Sequence, residues 1–504
     1  MKNILEMLEN SALKYPEKTA FTDPAHSMTF RETMDGAKKA GTFFLKNRIA
    51  HCPVSFYMEK STDAVCGMFG AVYAGCFYSF IDLRQPESRI HSILDTLKPG
   101  IIITDEENYE KACELFEIRV EKIEEILTSA EIDEELLKQA REESLDIDPL
   151  YVNFTSGSTG VPKGVTVCHR SVIDFIPVFT ETFGIEKDDV LANQAPFDFD
   201  VSVKDIYSGL YTGASVALIP RSYFSNPTKL MDYLCDQKAT VLVWAVSAMC
   251  FVSIMNGFGY RNPETLRLVM FSGEVMPIKQ LNIWKKYQPA VTFVNLYGPT
   301  EITCNCTYYV LEDRLYENDE KIPMGKAFRN EKVFLLDEND HEVTEPDEPG
   351  ELCVSGSCLS LGYYGNPEKT AEAFVQNPLN PYWLEPVYRT GDLCTYREDG
   401  NLVYLSRKDF QIKHLGHRIE LGEIETAAMG CDGVTRACCL YDAKKKKIVL
   451  FYTGDRDKKE LLEEMKESLP VFMIPNKAFE LDEMPLNKNG KIDRNALKET
   501  GGIQ

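Results

Sequence analysis

The chain has 504 residues, 44% of them apolar and 26% charged, and a formal net charge of −23. This length is enough for about three domains with large cores. The negative charge argues against nucleic acid as the main partner, because phosphate backbones require basic surfaces. From Phe410 onward acidic and basic residues balance, so the excess acidity lies in residues 1–409. This shift is a first indication of a separate C-terminal domain.

The fifteen cysteines form no CxxC pair and show no metal-ligand spacing. Free thiols throughout a large chain are typical of a reducing cytosol. Glu6 and Glu9 interrupt what would have to be the apolar core of a signal peptide. No run of about 18 apolar residues exists that could span a membrane. We therefore predict a soluble, cytoplasmic protein without a membrane span.

The first third of the chain alternates between helical and extended patterns. Residues 2–14 have the periodicity of an amphipathic helix, and Thr29 with Glu32 is a capping box for a second helix. The next expected elements are strands at 54–57 and 101–104 and helices at 64–74, 89–97, 108–115 and 132–140. Such alternation predicts an α/β domain with a largely parallel sheet.

The alternation resumes after residue 165 and then gives way to a different pattern. Expected strands lie at 190–194, 215–219, 241–244, 268–271 and 292–296, with helices at 202–212 and 227–237. Glycine- and proline-punctuated strands follow at 332–337, 350–355 and 402–405. The last part mixes helices at 420–429 and 458–468 with strands at 436–441 and 447–452.

These patterns together predict an α/β fold with two domains. The larger, residues 1–408, consists of stacked α/β subdomains plus a β-rich subdomain at about 325–408. The smaller, residues 409–504, is a C-terminal α+β lid domain.

A loop of threonine, serine and glycine within residues 151–165 (YVNFTSGSTGVPKGV) follows a short apolar strand. Glycines let backbone N–H groups converge on an anion, hydroxyls add donors, and Lys163 adds positive charge. The loop differs from a Walker P-loop because no serine or threonine follows the lysine. We interpret it as a polyphosphate-binding loop; the alternative is a flexible serine/glycine linker.

Further motifs stand at strand ends, where α/β proteins bind ligands. They are NLYGPTE at 295–301, YRTGD at 388–392, SRKDFQIKHLG at 406–416 and NGKIDR at 489–494. Each motif alone is weak evidence. Together with TSGSTGVPKGV and GELCVSGSCLSLGYYGNPEKT, and in this order, they resemble the adenylation superfamily. That superfamily includes nonribosomal-peptide adenylation domains, acyl- and aryl-CoA ligases and luciferases. The stretches APFDFDVSVKDIY and MFSGEVMP are similar to stand-alone D-alanine–carrier-protein ligases.

The resemblance implies that a carboxylate reacts with ATP to give an acyl-AMP and pyrophosphate, and that the acyl group then passes to a thiol. It implies ATP and Mg²⁺ as cofactors. The implied ATP-binding residues are Thr155, Ser156, Gly157, Ser158, Thr159, Gly160 and Lys163 at the β- and γ-phosphates, Gly273, Glu274, Asn295 and Tyr297 at the adenine, Thr300 at the α-phosphate, and Asp392 and Arg407 at the ribose. The implied catalytic residues are Thr300, Glu301 and Lys491. Glu301 would bind the metal and Lys491 would bridge the reacting carboxylate and the α-phosphate. Asp409 matches the hinge about which the lid rotates.

Asp200 decides between an amino acid and a plain acid. In the family an aspartate here pairs with the substrate α-ammonium group, and acyl- and aryl-acid ligases lack it. The motif has two possible registers, Asp198 and Asp200, and the spacing to Asp205 favours Asp200. The alternative for Asp200 is a helix N-cap.

The same alignment implies a substrate pocket lined by Asp200, Val201, Lys204, Val243, Met270, Ser272, Leu296, Cys304 and Asn305. Ser272, Cys304 and Asn305 indicate a small or small polar amino acid, and D-alanine is our first expectation, with serine as an alternative. Lys204 complicates this expectation. Directed into the pocket it would favour an acidic side chain such as glutamate, whereas directed outward it would carry no information. An acyl- or aryl-CoA ligase remains a further alternative.

The resemblance also implies a partner, an acyl or peptidyl carrier protein that bears phosphopantetheine. Carrier proteins are typically acidic, so the lysine run 444–447 on the less acidic lid is a candidate docking site. The alternative is a solvated hairpin turn.

Overall fold

The computed structural model describes residues 1–157, 161–317, 320–408, 411–486 and 492–503. The chain divides into two compact units. The first comprises Met1–Asp82, Pro99–Asn153 and Val165–Lys408, and the second comprises Leu83–Lys98, Phe154–Gly164 and Asp409–Gln504. The second unit thus takes in two segments that the sequence prediction assigned to the core domain. The division into 1–408 and 409–504 stays a proposal.

Helices follow the periodic segments of the sequence closely. In chain order they are α1 Leu5–Lys14, α2 Phe30–Lys46, α3 Thr62–Tyr73, α4 Glu87–Leu97, α5 Tyr109–Leu115, α6 Ile123–Ser129, α7 Glu134–Glu143, α8 His169–Phe183, α9 Val201–Thr212, α10 Pro227–Asp236, α11 Val246–Ile254, α12 Gly257–Tyr260, α13 Ile278–Tyr287, α14 Pro367–Ala373, α15 Leu421–Met429, α16 Lys458–Glu464 and α17 Arg494–Gly501. Short 3₁₀ turns lie at Arg221–Ser225, Thr300–Ile302, Met465–Glu467 and Val471–Met473. The predicted capping box is present at α2, where Thr29 and Glu32 exchange hydrogen bonds.

The strands in chain order are β1 Thr19–Thr22, β2 Ser27–Thr29, β3 Pro53–Tyr57, β4 Phe77–Phe80, β5 Ile101–Thr104, β6 Val120–Lys122, β7 Pro149–Thr155, β8 Lys163–Cys168, β9 Val190–Asn193, β10 Ser215–Leu218, β11 Val241–Ala245, β12 Leu268–Ser272, β13 Thr292–Tyr297, β14 Thr307–Val310, β15 Lys326–Ala327, β16 Glu331–Leu336, β17 Glu342–Val343, β18 Gly350–Gly356, β19 Phe374–Gln376, β20 Pro386–Tyr396, β21 Leu402–Arg407, β22 Gln411–His414, β23 His417–Glu420, β24 Val434–Asp442, β25 Lys447–Gly454 and β26 Lys477–Glu480.

Three sheets carry the first unit. Two are largely parallel and follow the orders β15-β14-β13-β12-β11-β9-β10-β1-β2 and β6-β5-β3-β4-β7-β8. The third is antiparallel, with the order β17-β16-β18-β20-β19 and β21 paired to β20. Apolar residues from both parallel sheets and from α1, α2, α3, α8 and α9 share one buried cluster. Burial on both faces explains the continuous apolar runs of these strands.

The second unit is a small α+β structure. The hairpin β22–β23 precedes α15, and the sheet β24-β25-β26 combines an antiparallel with a parallel pair. Helix α4 also belongs to this unit, where Arg89 donates to the buried carboxylate of Glu423. The predicted fold class, a large α/β domain with a smaller C-terminal domain, is confirmed.

No helix in the described ranges is long and apolar enough to cross a bilayer. All fifteen cysteines are free thiols. Within the described residues, no three His, Cys, Asp or Glu side chains lie close enough together to hold a metal ion by themselves.

Candidate active site

Asp200 lies at the end of a turn that leads from β9 into α9, and its side chain is buried. Its backbone is helical (φ −59°, ψ −21°), and its side chain accepts no hydrogen bond from the first turn of α9. The alternative interpretation of Asp200 as an N-cap is therefore wrong, because a capping side chain must bond to an N–H of that turn. Asp198, the other register, is only half-buried.

The other predicted pocket residues come from parallel strands and from the turn after β13. Val243 on β11 pairs with Met270 on β12, and Ser272 ends β12. Val201, Val243, Met270, Leu296 and Cys304 belong to one buried cluster. These five residues therefore belong to the main core of the first unit, and within it Val243 and Met270 are neighbours on paired strands.

The turn that carries Cys304 and Asn305 is sharply constrained. Thr303 and Cys304 both have left-handed backbone conformations, with φ of 56° and 79°. Gly298 lies so close to this turn that an added Cβ would come within 2.5 Å of the Asn305 Cα atom. The Cys304 thiol donates to the backbone carbonyl of Asp200 at 3.2 Å. Left-handed non-glycine residues cost about 1–3 kcal/mol each and are concentrated at functional sites, a signal that the sequence alone did not reveal.

Lys204 points into the protein and is fully buried. Its ammonium group donates to Asn305 Oδ1 at 2.5 Å. Burial lowers the pKa of Lys204, and the nearby carboxylates of Asp200 and Asp205 oppose this shift. The outward orientation, which would have carried no information about the substrate, is excluded.

A second group of predicted residues forms a connected network in the first unit. The Asp392 carboxylate accepts hydrogen bonds from the Tyr297 hydroxyl and from Arg407, the latter at 2.7 Å. Burial raises the pKa of the Tyr297 hydroxyl far above its usual value. Glu351, which the sequence analysis did not single out, supports this network by accepting from the Gly391 N–H group at 3.1 Å and from Lys408 at 3.0 Å.

The remaining predicted nucleotide-binding residues of the first unit stand at the carboxyl ends of β12 and β13. Gly273 has a φ of 95°, a conformation that favours glycine, and Glu274 beside it is half-buried. The Asn295 side chain donates to the Pro323 carbonyl at 2.7 Å. Thr300 begins a 3₁₀ turn and is half-buried.

Glu301 is the candidate metal ligand. Its side chain is fully buried, and Oε1 accepts a hydrogen bond from the Tyr363 hydroxyl at 2.8 Å. A single carboxylate fits the way in which Mg²⁺ binds nucleotides, since that ion retains water and takes phosphate oxygens as its other ligands. Tyr363, which holds Glu301, was not predicted from the sequence.

In the second unit, the described part of the glycine-rich loop contacts strand β23. The Ser156 hydroxyl donates to the Arg418 carbonyl at 2.6 Å and accepts from the Glu420 N–H group at 3.2 Å. Lys163 Nζ lies 3.6 Å from Glu420 Oε1, and the Thr155 hydroxyl donates to the Lys163 carbonyl at 3.5 Å. A Cβ at Gly157 would come within 2.0 Å of the Val161 carbonyl oxygen, so only glycine fits there. A phosphate that binds at Ser156 and Lys163 would have to displace the contacts of these two side chains with β23.

Five predicted residues lie outside the described ranges: Ser158, Thr159, Gly160, Asp409 and Lys491. The lysine run 444–447 forms the exposed turn of the β24–β25 hairpin and its first exposed strand residue. Lys445 there pairs with Asp442 at 3.1 Å and also donates to the Gly502 carbonyl. This is the arrangement that the solvated-hairpin alternative predicts.

Two family profiles match the chain. The profile described as AMP-binding enzyme matches residues 8–364, and the AMP-binding enzyme C-terminal domain matches residues 423–491.

Similar sequences occur among bacterial synthases. Zwittermicin A synthase ZmaJ of Bacillus cereus is 30% identical over 99% of this chain and 95% of its own length. Bacitracin synthase 1 of Bacillus licheniformis is 31% identical over 99% of this chain, and tyrocidine synthase 3 of Brevibacillus parabrevis is 32% identical over 99% of it. The chain spans only 9% and 8% of the lengths of these two larger proteins.

Solved structures share the fold. The Vibrio cholerae adenylation domain AlmE, in complex with glycyl-adenosine-5′-phosphate, matches with a TM-score of 0.83 and 21% identity over 99% of this chain and 98% of that one. NpsA-ThdA from Klebsiella oxytoca, an artificially fused adenylation-PCP di-domain, matches with a TM-score of 0.81 and 19% identity over 100% of this chain and 98% of that one.

Proposed function

Because the chain belongs to the AMP-binding enzyme family, whose members are ATP-dependent, adenylate-forming ligases, we propose that it converts an amino acid and ATP to aminoacyl-AMP and pyrophosphate. The phosphopantetheine thiol of a carrier protein then takes the aminoacyl group as a thioester, and the bond between the carbonyl carbon and the phosphate oxygen breaks to release AMP. In the first step a carboxylate oxygen attacks the α-phosphorus, and the bond to the pyrophosphate oxygen breaks. Such catalysis depends on stabilising phosphate charge more than on a protein nucleophile.

The observation that carries the amino-acid assignment is the buried carboxylate of Asp200. The Asp200 side chain does not cap α9, and the Cys304 thiol donates to the Asp200 backbone carbonyl at 3.2 Å. Its position at the end of the β9–α9 turn, beside the predicted pocket residues, suits the α-ammonium group of a substrate. A plain-acid substrate would offer this carboxylate no cation.

We propose an acidic substrate side chain, as in glutamate, in place of the D-alanine that the sequence first favoured. The support is the buried ammonium of Lys204, which has three donors and gives one to Asn305. A substrate carboxylate would accept from the others. Asp200 would then bind the α-ammonium group and Lys204 the side-chain carboxylate, and neither group takes part in the reaction. D-alanine and serine remain the second candidates, because Ser272 and Cys304 leave a pocket with small side chains.

ATP would be bound by the residues that the resemblance implies. Asp392 and Arg407 would hold the ribose, Tyr297 and its neighbours on β12 and β13 the adenine, and the loop from Thr155 to Lys163 the outer phosphates. Glu301 would hold Mg²⁺, which neutralises phosphate charge. Lys491 would bridge the carboxylate and the α-phosphate.

A carrier protein as acceptor is supported by the synthase relatives and by the di-domain that joins an adenylation domain to a PCP. The exposed lysines 444–447 are a candidate docking site. Charge reversal of these lysines should slow carrier loading and leave adenylate formation unchanged. If charge reversal left carrier loading unchanged, the lysines would be only a solvated hairpin turn.

ATP–pyrophosphate exchange across D- and L-amino acids, fatty acids and aryl acids tests the proposed function. We expect exchange with amino acids, and loss of at least about 100-fold in the Asp200→Asn variant, since a buried charge pair contributes several kcal/mol. Asp198→Asn, two residues earlier and half-buried, is the matched control and should retain activity. Exchange with aryl or fatty acids alone would instead identify an acyl- or aryl-CoA ligase.

A further inference from the structure

We propose that Lys60 is a positioning residue that fixes the substrate-recognition segment, defined as residues 193–200. Lys60 lies between β3 and α3 and is half-buried. Its ammonium nitrogen lies within hydrogen-bond distance of four acceptors, which its three N–H donors share: the Asn193 carbonyl at 2.9 Å, Asn193 Oδ1 at 2.8 Å, the Gln194 carbonyl at 2.8 Å and the Ala195 carbonyl at 3.1 Å. All four acceptors belong to three consecutive residues. One ammonium group therefore sets the path of the chain as it leaves β9.

The location of these bonds connects two sheets at their ligand-binding edge. Lys60 follows the carboxyl end of β3, and Asn193 is the carboxyl-terminal residue of β9 in the nine-stranded sheet. In α/β proteins this edge of a parallel sheet is where ligands bind. Lys60 thus joins the two parallel sheets where the segment that carries Asp200 begins.

A second hydrogen bond connects Asn193 to helix α9. The Asn193 side chain, held by Lys60 through Oδ1, donates through Nδ2 to Asp205 Oδ2 at 2.9 Å. Asp205 follows Lys204 directly and lies one and a half turns after Asp200. The segment is therefore fixed at its start by Lys60 and, through Asn193, at the helix that continues it.

If residue 60 only had to fill space in the core, a lysine would be a poor choice compared with an apolar side chain. Well-packed apolar residues often stabilise a core as much as buried charged groups do. Moreover, burial lowers the pKa of Lys60 to about 7. What the ammonium adds over an apolar side chain is orientation, because each backbone carbonyl is directed at one nitrogen. An orienting role predicts a selective loss in binding of the amino acid.

This inference rests on the proposed function for its kinetic readout, and the experiment has two parts. The variants are Lys60→Met, Lys60→Arg, Asn193→Ala and a matched control, Lys285→Met. Lys285 is buried and, like Lys60, donates to a backbone carbonyl, that of Glu312 at 2.9 Å, but it lies on α13.

In pyrophosphate exchange, Lys60→Met should raise the amino-acid KM by about 10- to 100-fold, as expected for a small misplacement of a binding group. The KM for ATP should change less than about twofold. Lys60→Arg should recover part of the loss, and Lys285→Met should change the melting temperature without changing either KM. An unchanged amino-acid KM in folded Lys60→Met, or equal losses for both substrates, would overturn the proposal.

Hydrogen exchange of the full-length protein tests the positioning without any substrate. Amides of residues 194–203 should exchange faster in Lys60→Met and in Asn193→Ala than in Lys285→Met. If the wild type shows no amino-acid exchange while these amides behave as expected, the proposed function fails and the positioning role stands. Equal exchange rates of these amides in all variants would refute the positioning role itself. If Lys60→Met does not fold, Asn193→Ala provides the same test.

Discussion

Replacing Lys204 with methionine should reverse the preference of the enzyme among amino acids. Methionine has a similar length and no charge, so it fills the same fully buried space. In the wild type the ammonium donates to Asn305 Oδ1 at 2.5 Å, and by our proposal its other two donors bind a substrate carboxylate. We expect the wild type to prefer an acidic amino acid and the variant to prefer an uncharged one.

The magnitude follows from the burial of the charge. Truncating one partner of a buried, hydrogen-bonded charge pair costs about 2–5 kcal/mol. Since about 1.4 kcal/mol corresponds to tenfold, kcat/KM for the acidic substrate should fall by roughly 30- to 3,000-fold. The folded protein should also lose stability, because Asn305 Oδ1 loses its donor and the nearby carboxylates of Asp200 and Asp205 lose a cation, and the removed desolvation cost of the ammonium offsets only part of this loss.

The assay is pyrophosphate exchange with glutamate, aspartate, serine and alanine in both configurations, together with a melting curve. Lys285→Met controls for the loss of a buried lysine elsewhere. Equal turnover of glutamate and alanine by the wild type, or an unchanged ratio between them in the variant, would refute the role assigned to Lys204. Preference for D-alanine by both proteins would restore the first sequence-based expectation.

Two further predictions concern ionised groups. Glu420→Gln should lower the KM for ATP about two- to fivefold, because it removes the carboxylate 3.6 Å from Lys163 with which phosphate would compete; an unchanged KM, with Lys163→Ala as the positive control, would contradict this. Burial raises the pKa of Asp205 to about 7, so between about pH 4 and 7 the folded protein retains a proton that the unfolded chain has released. As the pH rises from about 4 to 7, the free energy of unfolding should therefore fall by up to about 1.4 kcal/mol per pH unit. Urea denaturation at pH 5 and pH 7 should show a smaller difference for Asp205→Asn than for the wild type.

The sequence predicted the longer elements because their periodicity extends over several turns or strand repeats. Strand β5 has the predicted bounds, and α9 begins one residue before the prediction. The short strands β1, β2 and β6 were not predicted. They have three or four residues and, unlike the equally short β5 with its three isoleucines, they contain no run of three apolar residues that would distinguish them from loops.

The orientation of Lys204 could not be derived from its helix. A lysine on an ordinary surface helix points to solvent, and that expectation supported the outward alternative. Helix α9, however, is buried on every side from Val201 to Leu210. Its sequence includes Lys204 and Asp205 among the buried residues, so the contrast between polar and apolar faces does not identify a solvent side.

The supporting residues escaped prediction because their partners are distant in sequence. Lys60 contacts residues more than 130 positions away, and Tyr363 reaches Glu301 across 62. Lys60 belongs to none of the quoted motifs, and Tyr363 lies in the stretch GELCVSGSCLSLGYYGNPEKT, which does not reveal that its hydroxyl holds Glu301. Motifs record the groups that contact ligands, whereas long-range contacts that hold those groups depend on how the sheets pack.

The charges around α9 indicate how recognition and folding share the same residues. Asp200, Lys204 and Asp205 are buried and Lys60 is half-buried, and burial shifts the pKa of Lys60, Lys204 and Asp205 toward the neutral form. An apolar core would not require such groups, and their desolvation opposes folding. A preorganised pocket does require them, since fixed charges bind a charged amino acid without reorganisation. We therefore propose that the charge concentrated around this helix serves substrate binding more than stability, and that the amino acid is selected at α9.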